Sequence, residues 1–390
     1  LYDSVGTFIT YRNTAQNPPF GPQVTNTNGP YQFSDPWNKV PGGNPFPLPP
    51  PGKDVIFPPA NAEVFLPPHI QPPNVVHWNA SVQHQFSDNW VASVSYLGNK
   101  TSHLWIGNET NPAVYIPGTC AGKPCSSTSN TQARRVLSLI NPTAGQFYST
   151  MVVADDGINA NYNGLLASIE HRFARNYTLL ANYTWSKCLG IAPVTSLGGG
   201  VFQDPNNARG DYGPCTYDSP HLFNASMVYI SQFGYGGPVG YLINHWKLAP
   251  LVRYQSGLPV NPVSGKDNSL TAVGNDRPDV GSTTKYTGAA HGLLYQYVNP
   301  NLYTPNAIGK YGNAGHNSLR GPGFFDVDLA LSREFKLRER LTLDARAEAF
   351  NLLNHPNFGL PNGNLSSSTF GQIRSASDPR ILQAAMKLIF

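Results

Sequence analysis

Four cysteines are the first residues of this sequence whose type and spacing suggest chemistry. Cys120 and Cys125 lie five apart, and Cys188 and Cys215 bracket a second segment. A tetrahedral zinc site would need His at ligand spacing, and none stands so from either pair. Two disulfides and four free thiols are then the alternatives, and an oxidising compartment would favour the bonds. The ten histidines are scattered; His84 and His171 fall on strand faces near turns, where packing is favoured over metal binding. Arg209-Gly210-Asp211 spells a cell-adhesion tripeptide, which we take as coincidence, and Gly98-Asn99-Lys100-Thr101 lacks the upstream glycine spacing of a phosphate loop. Nothing assembles into a nucleophile and base, so we expect no enzyme activity and no cofactor.

A second set of residues is ionic and periodic: Glu170, Arg172, Lys247, Arg253, Asp326, Asp328, Asp344, Arg346, Glu348 and Lys387. Each sits in a stretch that alternates polar with apolar residues. Leu341, Leu343, Ala345, Ala347 and Ala349 alternate with Thr342, Asp344, Arg346 and Glu348; Phe325, Val327, Leu329 and Leu331 alternate with Asp326, Asp328, Ala330 and Ser332. Leu382, Ala384, Met386, Leu388 and Phe390 make the apolar row of the last stretch. Period two means strands with one apolar and one polar face. The ionic residues are expected to form cross-strand pairs or to line a path for a polar ligand.

The connections between these strands are unequal. Ser87-Asp88-Asn89, Phe173-Ala174-Arg175-Asn176, a Gly-rich turn through Phe233-Gly234-Tyr235-Gly236-Gly237, and Glu334 to Arg340 are short. Gly98 to Ala160, Lys187 to Pro220, Ser256 to Pro322 and Phe350 to Arg380 are long. Short turns at one end and long loops at the other, joined by strands of about ten residues, describe an all-β, antiparallel up-and-down transmembrane barrel. Its turns would be periplasmic and its loops extracellular, with Leu343 at mid-strand on the lipid face. About ten strands are present, the first ending near Thr10. A proline-rich loop from Arg12 to Asn74 follows it, because proline lacks the N–H that a sheet interior needs. Pro250, inside a strand, predicts a bulge or local bend.

Composition agrees with a wall that faces lipid. Over 390 residues charged side chains are 12%, against a usual share of roughly 25%, and aromatics are 12%. No run of about eighteen apolar residues marks a transmembrane helix. The net charge of +4 is spread without a basic block, so nucleic acid is not an expected partner. Leu1 is neither an initiator Met nor the start of a secretory signal, and we expect a processed or truncated piece.

Three stretches carry a family resemblance: Asp204-Pro205-Asn206-Asn207-Ala208-Arg209-Gly210-Asp211-Tyr212-Gly213-Pro214, Asn317-Ser318-Leu319-Arg320-Gly321-Pro322-Gly323-Phe324-Phe325, and Arg346 to Gly359 with its Asn351-Leu352-Leu353-Asn354-His355-Pro356-Asn357 core. In order and with their loop lengths they resemble the C-terminal part of the barrel of Oar-like TonB-dependent outer-membrane transporters, over nearly the whole chain. The resemblance implies a plugged barrel of about 22 strands that draws a ligand inward with energy from a TonB complex. Residues 1–390 would then be barrel alone, with the plug and the N-terminal strands absent from this chain. It further implies residence in the cell outer membrane, contact with the lipid bilayer, and insertion by an outer-membrane assembly machinery that reads Met386, Leu388 and Phe390. The alternative is a non-transporting surface adhesin or glycan-binding β-protein whose aromatic loops hold ligand.

Overall fold

The computed structural model describes residues 33–44, 46–47, 52–54, 59, 61–174, 176–191, 202–274, 276–287 and 295–390. The strand expected to end near Thr10 lies outside them. A short strand, β1 (Asn61–Phe65), precedes β2 (Asn74–Ser87), β3 (Trp90–Glu109), β4 (Tyr148–Ala174), β5 (Tyr177–Gly190), β6 (His221–Ile230), β7 (Lys247–Gln255), β8 (Phe324–Arg338), β9 (Leu341–Phe350) and β10 (Ile381–Ile389). From β2 to β10 the strands form one sheet in chain order, each antiparallel to the next. These nine strands are the nine expected from alternation after Thr10, with β2 and β10 at the two edges.

Register assigns the faces. Leu331 stands between Leu248 and Ala347, and Leu343 between Phe335 and Leu388, so one face is an apolar row across β7 to β10. On the other face Arg253 is paired with Asp326, and Asp344 with Lys387. Aromatic residues bound the apolar face at both ends. Phe86, Trp90, His171, Tyr177, Trp246 and Phe335 mark the short-turn end; Tyr183, Phe223, Tyr254 and Phe325 mark the other. Between Phe325 and Phe335, β8 rises about 3.4 Å per residue and, tilted by about 40°, covers roughly 26 Å, the height of a bilayer-facing band.

Four expectations need correction. The segment read as a loop from Gly98 to Ala160 is paired at both ends, because β3 runs on to Glu109 and β4 begins at Tyr148, 20 and 27 residues in length. Beyond the band both faces meet loops or water, so alternation fades while the backbone ladder continues. Gly98 does not end β3: the Trp78 ring lies across it, filling the space a Cβ would need. Within the proline-rich segment, β1 pairs in parallel with β4 through Val64 and Val152, using a proline-free stretch. Pro250 makes no bulge, since it pairs with Leu329 in unbroken register while the β6 ladder skips Ala249 and Pro250. Only one neighbour needed the missing N–H. Lastly, Leu343 is level with Phe335 near the short-turn end, and Leu331 is nearer the middle of the band.

The buried apolar clusters lie outside the wall. Val298, Leu302, Tyr303, Ala314, Leu319 and Phe370 join the β7–β8 and β9–β10 connections; Ile106, Ile158, Ile191 and Phe202 join the long hairpin to the β5–β6 connection. The long loops therefore pack into a folded cap with its own core, as burial on this scale requires.

Candidate functional site

The inner face and the cap above it hold the residues whose chemistry the sequence singled out. Arg253 donates to Asp326 at 2.5 Å and to Asp328 at 3.2 Å, bridging β7 and β8. Arg346 pairs with Glu348 along β9, and Arg172 lies 3.7 Å from Glu170 on β4. Lys247 faces Ser332 in register and forms no ion pair among the described residues; Asp344 and Lys387 are opposite one another without a bonded contact. The ten ionic positions thus share one face but divide into a β7–β10 group and a separate β4 pair. At the short-turn end a cavity of about 670 Å³ is lined by Lys247, Glu334, Lys336, Asp344 and Arg346, and reaches Tyr241 and His245.

The three stretches that carry the family resemblance are joints of the cap. In the first, Asp211 is buried and bonded to Arg277, whose Nε donates to the Ala314 carbonyl at 2.7 Å and whose other guanidinium nitrogen donates to the Gly210 carbonyl at 2.8 Å. The Gln203 side chain spans the same joint, accepting from the Arg277 amide at 2.6 Å and donating to the Gly312 carbonyl at 3.0 Å. Gly213 is required because a Cβ there would collide with the His316 carbonyl oxygen. With Asp211 buried in this way, Arg209-Gly210-Asp211 is not a free adhesion loop.

The second stretch fastens the cap to the rim of the wall. Arg320 pairs with the buried Asp218 and donates to the Asp218 and Gly257 carbonyls at 2.8 and 2.9 Å; Asp218 in turn accepts from the Cys188 amide at 2.6 Å. Asn317 donates to the Pro214 carbonyl at 2.7 Å. In the third, the Asn357 side chain accepts from the Phe325 amide and donates to its carbonyl, both at 2.8 Å, standing in for a strand neighbour at the start of β8. The Asn351 amide donates to Asp328 at 2.9 Å, so the same carboxylate holds a loop and receives Arg253. These residues stand out in the sequence, but their partners, distant along the chain, do not. Arg277 does not stand out at all, since no alternation surrounds it.

Both cysteine pairs are joined, Cys120 to Cys125 and Cys188 to Cys215, the second beside the Asp218 joint. Losing a bond that closes a loop of this size costs about 2–4 kcal/mol. Cys188→Ser is expected to increase protease cutting in the β5–β6 connection while leaving the wall intact; an unchanged cutting pattern would remove the bond from the cap's stability.

His316 packs against the Asp211–Arg277 pair, 3.8 Å from Asp211, with neither ring nitrogen bonded. Burial pushes its pKa below the ordinary 6.5, with Arg277 adding to the shift and Asp211 opposing it. Folding therefore favours the neutral ring. Its contribution is complete above pH about 6.5 and is lost as the pH falls from there toward the folded-state value. We expect the protection factors of cap amides, corrected for the pH dependence of intrinsic exchange, to fall over that interval and the fall to shrink in His316→Gln. His171 packs as the sequence suggested, wedged between Trp90 and Tyr177 with ring centroids 4.7 and 4.0 Å away, whereas His84 is exposed, its ring centroid 6.5 Å from that of Phe86.

An apolar band between aromatic girdles, a polar inner face, short turns at one end and a folded loop cap at the other define a membrane-spanning β-barrel wall. The sequence from residue 1 to 383 matches the model of the outer membrane beta barrel domain, and the chain belongs to that family and to the outer membrane. No curated protein sequence matches significantly. Among solved structures the chain is similar to the outer membrane transporter YddB from Escherichia coli, at 11% identity and a TM-score of 0.46, over 84% of this chain and 34% of that one. It is similar also to the FrpB iron transporter from Neisseria meningitidis, at 9% identity and a TM-score of 0.40, over 83% and 32% of the two chains. The chain thus spans about a third of the length of these structures.

Proposed function

We propose that this chain is the barrel portion of a TonB-dependent outer-membrane receptor and transporter, in which the loop cap and the charged inner face select an unidentified ligand. The observation that carries the reading is the Arg253, Asp326 and Asp328 cluster, set on the inner face directly below loops fixed to the same Asp328. Charges so placed offer a polar ligand a succession of exchangeable partners between the cap and the short-turn end. A wall that served only to display an adhesin would need no such row. The plug and its TonB-contacting segment would be supplied from outside this chain, and Met386, Leu388 and Phe390 would present the final strand to the assembly machinery.

The test uses the full-length gene product in detergent and the periplasmic domain of the host's TonB. Formation of a complex, tightened by one member of a panel of ferric siderophores, oligosaccharides and peptides, supports transport. Absence of any complex, with whole cells adhering through the loops, would replace this reading by the adhesin.

A further inference from the structure

The β6–β7 connection differs from every other short turn. Sequence reading made it a Gly-rich turn; the structure places a helix there, α1 (Gly237–Ile243). From Gln232 to His245 it contains no Lys, Arg, Asp or Glu, whereas the β8–β9 turn is dense in charge, from Glu334 to Arg340. Its large side chains are exposed: Val239, Tyr241 and Leu242 are 56, 62 and 65% exposed, Phe233 and Tyr235 are exposed beside them, and Tyr241 also borders the cavity at the short-turn end. An unpaired apolar surface of this kind is costly in water.

The helix is not loosely attached. Asn244 accepts from the Phe233 amide at 2.5 Å, Ser231 donates to the Ile243 carbonyl at 2.7 Å, and Trp246 Nε1 donates to the Leu242 carbonyl at 2.8 Å. Arg333 completes the attachment. Among the described residues it is the one Lys, Arg, Asp or Glu in the apolar rows between the two aromatic girdles, and it is buried. Its guanidinium donates to the carbonyls of Tyr241 and Leu242, the latter at 3.0 Å, which are last-turn acceptors with no partner inside the helix. The rings of Phe335, Tyr241 and Trp246 surround it at 4.8, 5.0 and 5.5 Å. A cation on a lipid-facing row is destabilising unless it lies near the interface and is satisfied there. Arg333 lies near the interface, and holding α1 gives partners to both of its terminal nitrogens, while its Nε is buried among the rings without a hydrogen bond; the helix is thereby fastened beside Trp246 and Phe335, in the zone where aromatic side chains prefer to lie.

We infer that α1 is an interfacial anchor, immersed in the periplasm-facing leaflet of the outer membrane, with Arg333 as the clasp that fixes its depth. Its occupant is phospholipid, because the helix carries exposed apolar side chains without a charge and is fastened through Arg333 to Trp246 and Phe335 of the lipid-facing row. The inference rests on membership of the barrel family and is independent of transport.

Since no free cysteine occurs among the described residues, Leu242→Cys can carry a single nitroxide label in the full chain reconstituted in phosphatidylethanolamine and phosphatidylglycerol vesicles. Glu339→Cys in the charged turn and Leu388→Cys on the apolar wall give the aqueous and lipid references. We expect the Leu242 label to collide more often with oxygen than with a water-soluble nickel chelate, as the Leu388 label does. Collision rates matching Glu339 would overturn the anchor. Arg333→Gln should raise the mobility of the Leu242 label several-fold without altering the Leu388 label, and Arg333→Lys should fall between. Unchanged Leu242 mobility in an Arg333→Gln protein that retains heat-modifiable migration would remove the clasp. If that variant fails to assemble, the depth of the Leu242 label in the parent chain still decides the anchor, and Arg333→Lys decides the clasp.

Discussion

Leu331→Arg is expected to lower the stability of the membrane-inserted barrel by about 2–4 kcal/mol, and Ala330→Arg, one residue away, by far less. Leu331 lies in the apolar row, between Leu248 and Ala347, and between the girdles set by Phe325 and Phe335. A guanidinium at that depth has neither water nor an anion within reach. Ala330 has the opposite facing: its partners are Ala249 and Glu348, so an arginine there enters a polar face beside a carboxylate. Leu343→Arg should give a smaller loss than Leu331→Arg, of about 0–1 kcal/mol, because Leu343 is level with Phe335 near the interface. Urea titration of the protein folded into lipid vesicles would rank the three. Equal losses for Leu331→Arg and Ala330→Arg would mean that the faces have been assigned wrongly.

Asp211→Ala is expected to release the cap and leave the wall. Asp211 and Arg277 are both 4% exposed at the side chain, and the pair is reached by no bulk water. Removing the carboxylate leaves Arg277 buried with carbonyl partners and no counter-charge, a loss of about 3–5 kcal/mol. Replacing both partners by apolar residues, Asp211→Leu with Arg277→Met, should recover much of that loss, since the penalty arises from the charge left alone and not from the absence of a pair. Hydrogen exchange should accelerate in residues 202–220, 276–287 and 295–322 of the single variant while strands β7 to β10 keep their protection. Equal acceleration in the wall would show that cap and wall fold as one unit; no acceleration in either would discard the joint.

The two parts of the molecule were not equally legible in the sequence. In the wall, one face touches lipid and the other a polar interior, so period-two alternation carries both the existence of each strand and its facing. Asp326, Asp328, Asp344 and Arg346 could be placed together from that period alone. The cap obeys no period. Its segments pair across separations such as Asp211 to Arg277 and Asn357 to Phe325, and each joint is a single side chain meeting a backbone group or one opposite charge. Such residues look like ordinary polar loop residues until the chain is folded around them.

The sequence by itself determined the nine alternating strands, their order, the short and long ends and the polarity of each face, because these follow from local pattern and from connection length. Only the tertiary structure decided which acid in the inner row receives Arg253, that Pro250 keeps register, that β3 and β4 extend past the band, and that an uncharged Gly-rich turn forms a helix held by Arg333. Each of those depends on a neighbour distant in sequence, and local pattern holds no record of such a neighbour.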